Sequence, residues 1–276
     1  MRVLVTGGAG FIGSHLCTSL VKNGFRSIIL DNFSAGSEDN IRHILSSSPD
    51  KVKVLKGDCT NPVHVKKALK DVEIVFHLAA NPEVRLELNN PKKCFKQNIY
   101  ATHVLLQQVR INPQVTTVIF LSTSTIYGEP EVIPTPEDYA PLKPISLYGA
   151  SKLASESLIS AYAYTYDKKA VILRLANIIG PQSQHGVIYD FVKKLQKNPQ
   201  QLEILGDGRQ TKSYLYITDC IKAIETALKI TKDRVEIFNI GSEDQISVAD
   251  IAQIVTEELG LTDVKFAYTG GIDGGR

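Results

Sequence analysis

Apolar residues fall along this chain in two alternating rhythms. Short, mainly apolar runs at residues 3–5, 27–31, 52–56, 73–80, 115–121 and 170–175 have the length of strands, and the unbroken Val3–Val5 reads as one buried on both faces. Between them, apolar positions recur three and four apart, as in Phe11, Ile12, Leu16, Leu20 and Val21, which predicts amphipathic helices. Helices are expected after Gly13, in the forties, at 63–69, at about 93–109 and at about 146–166. Strand and helix alternate with connections long enough for crossovers, so the pattern predicts an α/β fold: a doubly wound parallel sheet. Past Asn177 the alternation loosens. Helices at 187–197, 217–230 and 248–259 and short strands at 202–205 and 236–240 predict a smaller C-terminal lobe over the carboxyl edge of the sheet, where such folds bind ligands. The expected division is residues 1–177, with returning segments at about 213–242, and mainly 178–276. Tyr268 to Arg276 forms a glycine-rich end and no finished element.

The first strand runs into Gly7, Gly10 and Gly13 and then a helix. Glycines there let the chain turn tightly and let a pyrophosphate reach main-chain N–H groups at a helix N-terminus. Asp31 stands at the end of the second strand, eighteen residues after Gly13. A carboxylate there accepts from adenosine ribose hydroxyls and repels a 2′-phosphate. No Arg follows it, only Asn32, Phe33 and Ser34, so the expected cofactor is NAD and not NADP. Asp58, ending the third strand, either accepts from the adenine amino group or caps the next helix. Small residues at the end of the fourth strand, Ala79 and Ala80, let a cofactor pack against backbone.

The 276 residues are 43% hydrophobic, which supports a sizeable core. A net charge of +2 gives no reason to expect nucleic acid or a membrane surface as partner. No apolar run approaches a membrane span, and Met1 leads straight into a strand, which argues against a signal peptide. Cys17, Cys59, Cys94 and Cys220 lack metal-ligand spacing, as do the six histidines. A reducing cytoplasm and no metal are expected.

Tyr148 and Lys152 are spaced to share one helix face. A free tyrosine titrates near ~10, and bringing it to neutrality takes roughly 4 kcal/mol of preference for the phenolate; a close ammonium in a poorly hydrated site supplies it. The same spacing occurs at Tyr139/Lys143, Tyr164/Lys168 and Tyr189/Lys193. Pro141 interrupts the first, the second spans a helix end, and the third lies in the smaller lobe. Only Tyr148 and Lys152 open a helix after the strand that ends at Thr123. Asn98 lies inside the long helix before that strand, pointing either at solvent or into a site.

With these pieces in view, the sequence resembles the extended short-chain dehydrogenase/reductase family, and within it the nucleotide-sugar epimerases and dehydratases of the UDP-glucose (UDP-galactose) 4-epimerase kind. The matching segments are Thr6–Gly13, Asp31-Asn32, Asp58, His77–Ala80, Asn98, Ser122–Gly128, Tyr148 with Lys152, Leu173–Asn177 and Gly206–Gly208. The resemblance implies a Rossmann fold with bound NAD, and epimerisation of a UDP-hexose at C4 through a transient 4-keto sugar. It implies Thr123, Tyr148 and Lys152 as the catalytic set. NAD would be held by Gly7, Gly10, Phe11, Ile12, Gly13, Asp31, Asn32, Ser34, Gly36, Asp58, Cys59, Leu78, Ala79, Ala80, Asn98, Tyr148, Lys152 and Ala176. Asn177, Val187, Lys212 and Arg276 would hold the nucleotide sugar with Thr123 and Tyr148. It further implies a homodimer built on the two long helices, with Val104, Leu105, Leu158 and Ala161 as candidates for the contact. The sequence departs from the pattern in three ways. The catalytic hydroxyl is Thr123 where Ser is common, and Lys212 stands where Arg is common and loses the bidentate fork. Relatives also usually continue past the point matching Arg276, with a piece that closes the sugar pocket. Dehydratases of the family carry Asp-Glu after the catalytic Thr; here those positions are Ser124 and Thr125, which favours epimerisation. The other readings are a different epimerase, a dehydratase or a decarboxylase of the family, or a dinucleotide-binding regulator without turnover.

Overall fold

The computed structural model describes residues 1–81 and 90–270. Its elements follow in chain order. Strand β1 is Arg2–Thr6, helix α1 Phe11–Lys22, β2 Arg26–Asp31, α2 Glu38–Ser47, β3 Val52–Lys56, α3 Pro62–Ala68 and β4 Ile74–His77. A first turn α4, Pro91–Cys94, passes into a π-helical segment, Phe95–Tyr100, and then into α5, Ala101–Arg110. Strand β5, Thr117–Thr123, ends in a 3₁₀ turn, Ser124–Tyr127, before α6, Leu147–Thr165, and β6, Lys169–Leu175. Then come β7 Asn177–Ile179, α7 Val187–Lys197, β8 Gln201–Ile204, β9 Thr211–Lys212 and β10 Tyr214–Tyr216. The chain closes with α8 Ile217–Ile230, β11 Val235–Ile240, β12 Ile246–Ser247, α9 Val248–Glu258 and β13 Lys265–Tyr268.

Seven parallel strands form one sheet in the order β11-β6-β5-β4-β1-β2-β3. The order reverses between β1 and β4, the topological switch point at which doubly wound sheets bind ligands. The continuous apolar runs pair in register, Val3–Thr6 with Ile74–His77 and with Ser27–Leu30, and every residue of β5 is buried. This is the expected α/β doubly wound, Rossmann-like architecture.

The chain divides into two compact units. One comprises Met1–Leu175 and Ile217–Ile240, the other Ala176–Tyr216 and Gly241–Arg276. The first contains the large sheet. The second has its own core, in which Phe191 and Leu195 of α7 meet Leu202 and Ile204 of β8 and Ile251, Ala252 and Val255 of α9. Among the described residues its strands pair two by two: β7 with β10, β8 with β13, β9 with β12.

Two expectations change. The helix expected at 93–109 is interrupted by the π segment. The candidates Val104 and Leu105 for a dimer contact are buried in the monomer's own core, against Leu4, Val75 and Val118, so they cannot face a partner; Ala161 is exposed. Among the described residues, no helix is long and apolar enough to cross a membrane.

Candidate active site

The turn after β1 is built by close approach. Gly7 has φ +71°, and a Cβ on it would lie 2.8 Å from the Ala79 nitrogen. A Cβ on Gly13 would stand 2.2 Å from the Gly7 carbonyl oxygen. Helix α1 has Gly10 as its N-cap, with no side chain capping it and no acid in its first turn. Uncapped N–H groups at the positive end of a helix, with Phe11 and Ile12 opening it, suit a pyrophosphate.

Asp31 is buried at the end of β2. One carboxylate oxygen accepts from the Ala9 N–H at 2.9 Å and the other from the Phe33 N–H at 2.8 Å. Its charge is thus fixed against the glycine turn. The loop from Asn32 folds back over the same turn: the Gly36 backbone lies against Ala9, and the Ser37 N–H donates to the Ala9 carbonyl. Ser34 is exposed, and its N–H donates to the Asn32 side chain. The Asn32 amide donates to Asp58 at 3.0 Å, and Asp58 accepts from the Thr60 N–H at 2.8 Å. Burial pushes the Asp58 carboxyl up, but these hydrogen bonds outweigh it and hold the group below the usual carboxylate range. Asp58 does not cap the next helix; Asn61 does, accepting from Val63. Cys59 is buried, and burial followed by the neighbouring Asp58 and Asp31 charges pushes its thiol up to about 12. Leu78, Ala79 and Ala80 follow β4 half-buried, the first two against Gly7. Together these residues fit an adenine dinucleotide: a phosphate cradle, a fixed carboxylate at the ribose position, and small residues flanking the path.

At the carboxyl end of β5, Lys152 of α6 reaches in and donates to the Leu121 carbonyl at 2.7 Å. Lys152 is only 3% exposed. It stands 4.6 Å from the Phe120 ring centroid and 6.0 Å from that of Tyr148. Desolvation pushes it down to about 8 against the opposing pull of Glu156. Thr123 accepts from the Thr125 N–H and hydroxyl, both at 3.2 Å, which leaves its own proton to donate. A Cβ on Gly149 would sit 2.8 Å from the Thr125 carbonyl. The first turn of α6, which carries half-buried Tyr148, is therefore pressed against the 3₁₀ turn that follows Thr123. The Ser122 hydroxyl is buried with no protein partner.

Asn98 lies in the π segment, 2% exposed. Its Oδ1 accepts from the Asn81 N–H at 2.7 Å, and its Nδ2 donates to the Ser151 hydroxyl at 2.8 Å. Ser151 in turn donates to the Tyr148 carbonyl at 2.8 Å. The Asn98 amide is thus spent on the protein and braces the start of α6. Residue numbers alone left Asn98 between solvent and site; the π turn rotates it inward.

The second unit holds the other expected residues. Asn177 donates to the Ser213 carbonyl at 3.0 Å, next to Lys212, a half-buried lysine that burial pushes down. Ala176 packs beneath Gly241. Val187 opens α7, whose N-cap, Gly186, supplies no side chain. Arg276 lies outside the described residues. No group of three or more potential metal ligands occurs among the described residues.

A buried arginine, which the motif Leu173–Asn177 contained without a role, completes the site's frame. Arg174 on β6 pairs with Glu156 on α6 at 3.0 Å, both nearly inaccessible. It also donates to the Tyr127 hydroxyl at 2.9 Å and to the Glu137 carbonyl at 2.8 Å.

Comparison with known proteins gives three kinds of match. The model of the family described as "NAD dependent epimerase/dehydratase family" matches residues 3–241. A crystal structure of a UDP-galactose 4-epimerase is 40% identical, with 99% of this chain and 89% of that chain covered and a TM-score of 0.85. The crystal structure of a UDP-glucuronic acid 4-epimerase from Bacillus cereus, in complex with UDP-glucuronic acid and NAD, is 32% identical, with coverage of 100% and 88% and a TM-score of 0.91. The dTDP-D-glucose 4,6-dehydratase of Homo sapiens is 35% identical over 278 residues, 99% of this chain and 78% of that protein.

Proposed function

Because the chain belongs to the NAD dependent epimerase/dehydratase family, we propose that it is a UDP-glucose 4-epimerase-type isomerase, interconverting UDP-glucose and UDP-galactose with NAD as its cofactor. The observation that carries this reading is the pairing of Tyr148 with a buried Lys152 at the end of β5, followed by Ser124 and Thr125. Tyr148 takes the proton of the sugar C4 hydroxyl. Lys152, charged below about pH 8, lies close to the ring and favours the phenolate. Thr123 donates its free proton to the same sugar oxygen and steadies the developing carbonyl. NAD, when bound, would take the C4 hydride and give it back, so that no net oxidation occurs. A planar 4-keto carbon retains no configuration, so a sugar that has turned its other face to the returning hydride leaves inverted, with Tyr148 returning the proton to its oxygen. Elimination of water would need an acid and a base over the neighbouring carbons. Ser124 is exposed and Thr125 is turned onto Thr123, and neither hydroxyl protonates a leaving hydroxide. The reading therefore favours epimerisation over the dehydration performed by the human relative.

In this reading the glycine turn, Asp31 and Asp58 hold the dinucleotide, and Asn177, Val187 and Lys212 of the second unit, with Arg276, hold the uridine diphosphate. The protein works in the cytoplasm, consistent with four cysteines outside any disulfide, and as a homodimer. Exposed Phe95 and Tyr100 offer apolar surface for that contact in place of Val104 and Leu105.

The test is direct. Denatured protein should release NAD, and purified protein should convert UDP-galactose to UDP-glucose. Deuterium placed at C4 of the sugar should remain at C4 of the product. Release of NADP, absence of interconversion, or loss of the label to solvent would each overturn the reading. Light scattering at micromolar concentration checks the dimer.

A further inference from the structure

His77 ends β4 at the centre of the sheet, 1% exposed, and the chemistry above does not use it. Its neighbours fix its protonation. The Thr6 hydroxyl receives the N–H groups of Leu78 and Ala79, both at 3.2 Å. The Leu78 N–H is shared with the Thr6 carbonyl, also at 3.2 Å, and the order is set from the other end. The Asn98 carbonyl can only accept, so the Thr102 hydroxyl spends its one proton on it at 2.6 Å. Thr102 therefore accepts from His77 Nε2, 3.0 Å away, which carries the ring proton. A neutral ring leaves Nδ1 bare to accept from the Thr6 hydroxyl, 2.8 Å away. Every donor in this line faces one way, from the end of the glycine-turn strand to the π segment. From there Asn98, Ser151 and the Tyr148 carbonyl continue it into the first turn of α6.

We propose that His77, as a neutral Nε2–H imidazole, is a positioning residue for the reaction: through Thr102 it locks the π turn that sets Asn98, and so orients Tyr148 and Lys152 relative to the cofactor turn anchored by Thr6. The proposal rests on the reading of Tyr148 and Lys152 as the reacting pair. A protonated ring would donate at both ends, strand the Thr6 proton and place a second cation near Lys152. Burial, and after it the Lys152 charge, hold the imidazole down to about 3, so the one-way order persists across the physiological range. A buried ring with both nitrogens engaged is well suited to join two backbone segments rigidly.

Thr102→Val keeps the shape and deletes the hydroxyl; Thr102→Ser restores it. With UDP-galactose, Thr102→Val and His77→Phe should lower kcat by ~10-fold while KM changes less than twofold, and Thr102→Ser should recover most of the loss. In protein labelled with ¹⁵N-histidine, the His77 ring, identified by its disappearance in His77→Phe, should show a bare Nδ1 and a protonated Nε2, unchanged from pH 5 to 9. A titrating His77, an unaffected kcat in Thr102→Val, or equal losses in the Val and Ser variants would overturn the proposal. A wild-type protein that converts no nucleotide sugar would instead refute the reading of the site, and the proposal with it.

Discussion

A lysine buried at a sheet edge and pushed from 10.5 down to about 8 makes folding stability depend on pH in a particular direction. Below pH 8, Lys152 is charged in both the folded and the unfolded chain, and the cost of burying the charge is carried in full. Between 8 and 10.5 the folded protein has lost that proton while the unfolded chain still binds it. The unfolded state then holds more protons, so stability rises with pH. The full gap, at about 1.4 kcal/mol per pH unit, is worth about 3.5 kcal/mol, and about 2 kcal/mol of it should arrive between pH 7 and 9.5. Lys152→Met removes the titration and keeps an unbranched chain of similar length. Urea unfolding of the two proteins, freed of bound nucleotide, at pH 7 and pH 9.5 isolates the effect, because the other titrating groups are common to both. Wild type should gain about 2 kcal/mol more than Lys152→Met over that range. An equal pH response in the two proteins would show that the ammonium is solvated or held by an acid, and would remove the basis for its role beside Tyr148.

Three further outcomes follow from the site. Tyr148→Phe should lower turnover by ~10²-fold or more with NAD retained, whereas Tyr164→Phe and Tyr189→Phe, which share the spacing and not the place, should leave turnover nearly unchanged; steady-state assays decide. Glu156→Gln should cost about 3 kcal/mol because Arg174 keeps its charge and loses its carboxylate, and the double change Glu156→Leu with Arg174→Met should regain most of it, as thermal melts would reveal. Gly13→Ala should destabilise the fold by about 3 kcal/mol through the clash with the Gly7 carbonyl, while Gly10→Ala, whose Cβ meets only the Gly7 oxygen at 3.2 Å, should fold and bind NAD ~10-fold more weakly, measured by calorimetry.

The large sheet was legible because its signals are local: apolar runs too continuous for one-sided strands, glycines at fixed offsets, and a carboxylate at a strand end. The Tyr148–Lys152 pair needed only helical spacing and the strand before it. Other parts depend on contacts far apart in sequence. The π turn carrying Asn98 is specified by partners at Asn81 and Ser151, which no window around residue 98 contains. The strands β7, β9, β10 and β12 span two or three residues, too short for a period to register. Val104 and Leu105 sit on an apolar face, and periodicity cannot say whether such a face meets the core or another subunit. The His77 line was hidden for the same reason, although Thr6 and His77 each end an apolar run, a cue that two adjacent strands finish in polar side chains that can meet.

The return of residues 217–240 to the large sheet sets an order on synthesis. Strand β6 is nearly all buried, and its outer neighbour β11 is made sixty residues after β6 ends. A nascent chain that has emerged only to residue 216 therefore presents the open N–H and C=O groups of an apolar edge, the feature that recruits foreign strands. Until the ribosome has released β11, the growing protein is most exposed to aggregation at Lys169–Leu175, and that edge is where a chaperone would have to act.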